Sequence, residues 1–390
     1  MIRLFLFVSA LLVLQGVTSY DVMKYAENQY SIVYKQFLNL SGQYYPYFGY
    51  PLKDKWNATT ATTGWTPGFT PGVFWYIFEH EQTVENLGAA RTVTEPTAAF
   101  ANRTDLDDVS FTIMCGFGNG YRMRKYPSYL DIIYTGARSL ATRYSPAVRC
   151  TRSWDSEVGF LVNIDNMMDL EILFEASKQS KNQTWYNMAW QHANRTMYEN
   201  FRADNGTYHM IEYNETDGSV IRKYTAQGFA DWSTWSRGQA WGTYGYTMAY
   251  RYTKYQPFLD KAIAAANYFL SRLPSSTDLI PYWDFDAPFN STIPYQPRDT
   301  SAAAILASGL IELSEYVTDI DLKARYLNSS KAIVNQLATP KYLINGNKDY
   351  QLPALLANAT LGPYPRNPYD VALSFGDYYF VEAVVRLWKL

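Results

Sequence analysis

The chain has 390 residues, of which 47% are hydrophobic and 18% charged, a composition typical of a globular protein rather than a disordered one. Its 34 Lys and Arg residues nearly balance 36 Asp and Glu residues, and the formal net charge of −2 argues against a nucleic-acid-binding protein. Two cysteines exclude a disulfide-stapled miniprotein. The 35 Tyr, 20 Phe and 11 Trp are more than a core requires, and they suit a cleft that stacks on flat ligands such as sugar rings.

The first residues have the pattern of a secretory signal peptide. Arg3 provides a short positive start, residues 4–14 are apolar, and residues 17–19 are suited to cleavage before Tyr20. The apolar run is too short to span a membrane, and no later segment reaches about 18 uninterrupted apolar residues. We therefore predict a signal peptide over residues 1–19 and a secreted, extracellular protein. The alternative is a hydrophobic first core helix.

Ten Asn-X-Ser/Thr triplets point to the same compartment, because each is an N-glycosylation acceptor in a eukaryotic secreted protein. They begin at Asn39, Asn57, Asn102, Asn182, Asn194, Asn205, Asn214, Asn290, Asn328 and Asn358. An oxidising compartment permits a disulfide between Cys115 and Cys150, with two buried free thiols as the equal alternative.

Hydrophobic periodicity predicts twelve helices, whereas the alternation typical of strands is scarce. The predicted helices cover residues 21–38, 70–83, 85–101, 108–124, 127–146, 160–179, 182–201, 236–252, 257–273, 300–317, 319–338 and 376–389. Residues 207–221 alternate and contain Asp217-Gly218, which predicts a small β-hairpin. Twelve helices pair into six hairpins, so we predict an all-α fold, a closed (α/α)6 barrel formed by one domain over residues 20–390, with the β-hairpin as an insertion. The inner helices of such a barrel present their N-termini to one cleft, where anionic ligands are favoured.

Acidic residues at the start of two apolar helical runs are candidates for acid–base catalysis. Asp165 begins an apolar helical run, where loss of solvent raises a carboxyl pKa and allows the group to hold a proton near neutral pH. Asp107 and Asp108 directly precede another such run, and consecutive inner helices could bring the two sites together. The alternative at each position is an ordinary helix N-cap, for which Asp is a preferred residue.

Polar and aromatic candidates are denser between residues 209 and 241. Tryptophans in this region are candidates to stack on sugar faces, with core packing as the alternative, and an arginine at a helix start is a candidate to bind a carboxylate. The candidates are His209, Gln227, Trp235, Arg237 and Trp241. The three His and two Cys lack the spacings of a zinc site, and no G-x-G-x-x-G after a strand, P-loop or G-x-S-x-G motif occurs. We therefore expect no metal and no cofactor.

Five motifs that follow one another from about residue 60 to the C-terminus resemble those of glycoside hydrolase family 88, the unsaturated glucuronyl hydrolases. They are WTPGF followed by PG from Trp65, GFGNGYR from Gly116, DNMMDL from Asp165, SRGQAWG from Ser236 and FGDYYF from Phe375. The resemblance implies an (α/α)6 barrel that acts on the oligosaccharides left by polysaccharide lyases. Those products carry a 4,5-unsaturated uronic acid at the non-reducing end.

The resemblance also implies roles for individual residues. Asp165 corresponds to the general acid/base, and Asp108, eight residues before the second motif, corresponds to the second essential carboxylate. The adjacent Asp107 leaves open which member of the pair faces the sugar. The implied substrate-binding residues are Trp65, His209, Gln227, Trp235, Arg237 and Trp241.

The implied reaction is hydration of the C4=C5 double bond, in which Asp165 protonates C4 and then, as a carboxylate, activates the water that attacks C5. Two other functions stay open: an unsaturated rhamnogalacturonyl hydrolase acting on pectin fragments, and a non-catalytic sugar-binding protein on the same scaffold. The expected partner is an unsaturated oligosaccharide substrate, with neither a nucleic acid nor a membrane. The parent polysaccharide, the tolerance of sulfated sugars and the oligomeric state stay open.

Overall fold

The computed structural model describes residues 19–156, 159–274, 278–291 and 293–390. The signal peptide predicted over residues 1–19 lies outside these residues, apart from Ser19. The helices are α1 (Ser19–Asn39), α2 (Phe69–His80), α3 (Val84–Thr94), α4 (Val109–Ile113), α5 (Asn119–Arg124), α6 (Pro127–Ala141), α7 (Asn166–Ser180), α8 (Gln183–Glu199), α9 (Ser236–Thr253), α10 (Gln256–Ser271), α11 (Thr300–Tyr316), α12 (Ile320–Leu337) and α13 (Ser374–Trp388). A 3-10 segment, Glu95–Asn102, extends α3, and a π-helical turn, Met114–Gly118, joins α4 to α5.

The distribution of apolar residues sorts these helices into two rings. Helix α11 buries 15 of its 17 residues, whereas α12 buries only five, which lie along one face of the helix. A helix that is apolar all round belongs in the interior, and one with a single apolar stripe belongs outside. The inner ring is α2, α4–α5, α7, α9, α11 and α13, and the outer ring is α1, α3, α6, α8, α10 and α12. This is the predicted (α/α)6 barrel.

Short antiparallel strands lie in the connecting segments at one end of the barrel. They are β1 (Tyr45–Gly49), β2 (Asn57–Thr59), β3 (Tyr144–Ser145), β4 (Cys150–Thr151), β5 (Phe160–Asn163), β6 (Met210–Tyr213), β7 (Val220–Tyr224), β8 (Ala359–Thr360) and β9 (Tyr369–Leu373). They form sheets in the orders β2-β1-β9-β8, β3-β4 and β5-β6-β7. The predicted β-hairpin is therefore present as β6 and β7, with β5 as a third strand.

Two predicted helices are wrong at one end, and strand pairing is the reason in both cases. The helix predicted from residue 160 begins at Asn166, because residues 160–163 pair with β6 instead. The helix predicted to residue 146 ends at Ala141, because residues 144–145 pair with β4. Short apolar runs fit a buried strand as well as a helix, and the partner strand decides between them.

Three further predictions concern the surface and the cysteines. Of the two alternatives for Cys115 and Cys150, the structure has the free thiols, each buried in a different hydrophobic cluster. None of the ten predicted glycosylation asparagines is buried, and their glycosylation stays a prediction. Within the described ranges, no helix is both long and apolar enough to cross a membrane.

Gly68 allows α2 to begin in close contact with α4. A Cβ atom at Gly68 would lie 2.3 Å from the carbonyl oxygen of Thr112, which is backbone and cannot move aside alone. We expect Gly68→Ala to lower the free energy of unfolding by about 1–3 kcal/mol, the usual cost of overpacking a core. Gly88→Ala on α3, where nothing lies within 4 Å, should be neutral or stabilising. Urea denaturation of both variants measures the difference, and equal effects would contradict the packing argument.

Candidate active site

Several inner helices begin at the same end of the barrel, and candidate site residues lie at their first positions. Asp108 precedes α4, Asp165 precedes α7 and Trp235 precedes α9. Neither the Asp108 nor the Asp165 carboxylate accepts a capping hydrogen bond from its helix. By contrast, Asp299 caps α11 by accepting from the backbone N–H groups of Ser301 and Ala302. Asp108 and Asp165 therefore do not serve as ordinary N-caps, which was the alternative to a catalytic role.

Pairing of β5 with β6 brings Asp165 next to His209, although 44 positions separate them in the sequence. Asn163 pairs with Met210, and the next amide, that of Ile164, donates to the carbonyl oxygen of His209 at 2.9 Å. Asp165 follows at once, where the strand turns into α7. The sheet inserted into the barrel thus positions one acid and one imidazole at the same rim.

His209 is a neutral hydrogen-bond donor. Its Nδ1 accepts the backbone N–H groups of Ala226 at 3.0 Å and Gln227 at 3.3 Å, so the ring proton lies on Nε2. Burial, helped by the positive charge of Arg237, lowers the pKa of His209 to about 3. Nε2 is buried and has no hydrogen-bond partner among the described residues. The ring centroids of His209 and Trp235 are 4.7 Å apart, and the Nε1 of Trp235 is likewise buried without a hydrogen-bond partner among the described residues.

Asp165 is a carboxyl group that holds its proton near neutrality. Burial raises its pKa to about 7, the positive charge of Arg237 lowers it in part, and the carboxylate of Asp107 raises it again. Its Oδ1 is buried without a partner in the described part of the chain. Buried polar atoms are nearly always paired, so unpartnered atoms on Asp165, His209 and Trp235 indicate a place prepared for a ligand.

Asp107 and Asp108 differ in burial, which addresses the choice left open above. Asp107 is 1% exposed and accepts from the Asn166 side-chain amide at 2.7 Å, and burial raises its pKa to about 6. Asn166 is itself held by Ser153, whose hydroxyl donates to it at 2.6 Å. Asp108 is only half-buried, and burial followed by the charges of Asp107 and Asp165 raises its pKa well above the usual range. Asp107 thus lies behind the rim and Asp108 at it.

Arg237 is buried in a cage of protein oxygens. Its guanidinium is 2% exposed and contacts Asp299 at 2.6 Å, the Ser301 hydroxyl at 3.3 Å and the backbone oxygens of Thr360 and Leu361 at 2.7 Å. The same group donates to the Gln227 side-chain oxygen at 3.0 Å. Arg237 therefore orients Gln227 and supplies positive charge, while its predicted direct contact with a sugar carboxylate stays a prediction.

The aromatic candidates occupy different depths. Trp65 is half-buried at the rim, with its ring 5.0 Å from Phe375 and 6.3 Å from Tyr47. Trp241 is only 1% exposed and contacts Phe111, 5.2 Å away, inside the barrel. The structure thus brings Trp65 and Trp235 to the candidate site and places Trp241 in the aromatic layer beneath it.

Three residues of the site were not singled out from the sequence. Tyr47 lies within range of the charges of Arg237 and Asp108, and its pKa is raised chiefly by burial. Asp169, four residues after Asp165 and one helical turn on, was visible within the DNMMDL motif. Asp299, followed by Thr-Ser, has the signature of a helix N-cap, but its pairing with Arg237 has no local signal.

The opposite end of the barrel has different chemistry. A cavity of about 490 Å³ opens there, where the inner helices end, and most of its charged groups form ion pairs. Arg251 contacts Glu171 and Glu312, and Arg386 contacts Glu312 and Glu382. At the end of the barrel that holds Asp165, several buried polar atoms have no hydrogen-bond partner in the described part of the chain, whereas those that line the cavity at the opposite end are paired. The end that holds Asp165 is therefore the candidate active site.

No protein-family model matches the chain. It is 39% identical over 334 residues to an unsaturated glucuronyl hydrolase of Formosa agariphila, covering 84% of this chain and 80% of that one. Among solved structures, it is similar to an unsaturated glucuronyl hydrolase specific for heparin, with a TM-score of 0.87, 32% identity and 95% and 98% of the two chains covered. It is also similar to an Asp-to-Asn variant of the Streptococcus agalactiae enzyme complexed with dGlcA-GalNAc6S, with a TM-score of 0.77, 26% identity and coverages of 95% and 92%. The chain therefore belongs to the unsaturated glucuronyl hydrolases of glycoside hydrolase family 88.

Proposed function

We propose that this glycoside hydrolase is secreted and removes the 4,5-unsaturated uronic acid from the non-reducing end of lyase-generated oligosaccharides by hydrating the C4=C5 bond. One observation carries the proposal. Asp165 combines a pKa of about 7 with a buried, unpartnered Oδ1, beside unpartnered donors of His209 and Trp235. A protonated acid next to neutral donors is what addition of a proton to an alkene requires.

The reaction uses one carboxyl group twice. In the first step the π electrons of C4=C5 take the proton of Asp165 at C4, which leaves an oxocarbenium-like centre at C5 that the ring oxygen stabilises. In the second step the Asp165 carboxylate accepts a proton from water while the water oxygen bonds to C5. The hemiketal then opens and releases the aglycone. Asp165 ends the cycle protonated, so no second general acid is needed.

Neighbouring side chains bind the substrate and orient Asp165. The Nε2–H of neutral His209 and the Nε1–H of Trp235 donate to uronate or hydroxyl oxygens, because donors of fixed direction are what an oxygen-rich sugar can use. Gln227, held by Arg237, is a further polar contact at the rim. Asp108 lies close enough to Asp165 for their charges to interact, and it orients the acid or the attacking water.

Secretion rests on the N-terminal signal pattern and on the sequons. All ten acceptor asparagines are at least partly exposed to solvent, as glycosylation requires. A glycosaminoglycan source is supported by the neighbours, since one is specific for heparin and another is complexed with dGlcA-GalNAc6S.

We expect the ultraviolet absorbance of the conjugated alkene to disappear when the enzyme acts on unsaturated glycosaminoglycan disaccharides. The test is a panel of chondroitin, hyaluronan, heparin and pectin lyase products, with a saturated disaccharide of the same composition as the control. The saturated compound should stay intact, because it has no double bond to protonate.

Each other outcome contradicts the proposal in a recognisable way. Equal cleavage of the saturated compound would indicate a conventional glycosidase that displaces at C1. Turnover of pectin fragments alone would indicate an unsaturated rhamnogalacturonyl hydrolase. Binding without loss of absorbance would indicate a sugar-binding protein.

A further inference from the structure

Three aspartates at and behind the rim of the candidate active site lie too close together for all three to be ionised. One carboxylate oxygen from each of Asp107, Asp108 and Asp169 lies within 4.8 Å of the others. Asp107 is 1% exposed and Asp169 is fully buried. No Lys or Arg of the described chain forms an ion pair with any of them. Like charges this close and this buried cannot all persist, so at least one of the three carboxyls holds a proton.

Hydrogen bonding and burial together indicate Asp169, since Asp108, whose pKa is also raised, keeps partial contact with solvent at the rim. Asp107 accepts from the Asn166 side-chain amide at 2.7 Å, and such a bond favours the ionised carboxylate. No side chain of the described residues donates to either oxygen of Asp169, and only the backbone N–H of Ser110 favours its charged form. Burial, followed by the charges of Asp107, Asp108 and Asp165, raises the pKa of Asp169 well above its usual range.

We propose that Asp169 is a positioning residue that stays protonated through the reaction and donates a hydrogen bond to Asp108, which keeps Asp108 ionised at the rim. The inference rests on the function proposed above and adds a residue to it. Asp169 lies one helical turn below Asp165, so the same helix that presents the catalytic acid also carries the group that fixes the second carboxylate.

The ionisable and charged groups around Asp169 belong to the segment around α4, to the start of α7 and to two more distant arginines. Asp107 and Asp108 directly precede α4, and the thiol of Cys115 lies in the π-helical turn that follows it. Asp165 directly precedes α7, the helix that carries Asp169. The cations that act on the Asp107–Asp108 pair from farther away are Arg103 and Arg143. Arg143 donates to the backbone oxygens of Thr104, Arg152 and Ser153 and forms an ion pair with Asp155, so its charge is shared with groups outside the cluster. The proton on Asp169 is then the compensation closest to the three carboxyl groups.

The test compares two isosteric replacements of Asp169. Asp169→Asn keeps a neutral donor, so we expect kcat within about twofold of the wild type and an unchanged pH profile. Asp169→Leu removes the donor together with its proton, so Asp108 binds a proton from solvent. We then expect kcat to fall at least about tenfold with KM little changed, and the basic limb of the kcat profile to move to lower pH, because a neutral Asp108 no longer raises the pKa of Asp165.

Infrared difference spectroscopy gives a readout without substrate. At a pH above the pKa of Asp165, wild-type enzyme minus Asp169→Asn should show the carbonyl stretch of one protonated carboxyl group. This band is expected even if the substrate assignment fails, so the two hypotheses are distinguishable.

Several results would overturn the role of Asp169. They are the absence of that band, an Asp169→Asn variant that is unfolded or as inactive as Asp169→Leu, and an Asp169→Leu variant with the wild-type profile. Loss of activity with a chelator and recovery with Ca²⁺ would show that the three carboxylates hold a cation instead of a proton.

Discussion

Asp165→Asn should lower kcat on an unsaturated disaccharide at least about a hundredfold, the usual contribution of a general acid–base group. The amide cannot give a proton to C4 or take one from water, so both steps lose their catalyst. Asp131→Asn is the matched control, because Asp131 is an exposed carboxylate on the outer helix α6 and the change creates no Asn-X-Ser/Thr triplet. It should keep the wild-type rate. A near wild-type rate for Asp165→Asn would remove Asp165 from the mechanism.

The pKa of Asp165 also fixes the direction of two pH effects. The first step needs the protonated acid, so the wild-type rate should fall as pH rises through about 7. Because burial raises this pKa above the unfolded value, the group stabilises the fold at low pH and loses that contribution as pH rises through about 7. Asp165→Asn should therefore be more stable than the wild type at pH 8, although it is inactive. Denaturant midpoints at two pH values measure this.

The helices were largely predictable because the barrel is built from local patterns. An outer helix such as α12 carries an apolar stripe at helical spacing, and an inner helix such as α11 buries nearly all of its residues over a length too great for a strand. The sequence misled at residues 160–163, where a four-residue apolar run continues straight into α7. What makes it a strand is β6, some 50 residues later, and no local property encodes that partner.

The residue types of the candidate site were predictable from the sequence, but the burial of the individual residues was not. Asp165 stood out because an acid before an apolar run must be desolvated, and the structure places it so. Asp107 and Asp108 are adjacent and chemically identical, so only the side-chain amide of Asn166 and the difference in burial separate them. Trp241 is 1% exposed and contacts Phe111, which fits the alternative of core packing, and its stacking on a sugar stays a prediction.

Asp299→Ala should lower the free energy of unfolding by about 3–5 kcal/mol, because it leaves the buried positive charge of Arg237 without its counter-ion. The substitution also removes the N-cap of α11, which costs about 1 kcal/mol more. Native domains are stable by only about 5–15 kcal/mol, so this loss is large. Release of Arg237 should also lower kcat, since Arg237 holds Gln227 at the rim. Urea denaturation and the alkene assay measure the two effects.

Asp319→Ala is the control that separates the loss of a counter-ion from the loss of a helix N-cap. Asp319 caps α12 by accepting from the backbone N–H of Leu322, but it is exposed and faces no buried cation, so its removal should cost only about 1 kcal/mol and leave kcat unchanged. The excess loss in Asp299→Ala is then the penalty of an uncompensated buried guanidinium. If the two variants lose equal stability, Arg237 is sufficiently held by the hydroxyl and carbonyl oxygens around it, and its ion pair with Asp299 is dispensable for the fold.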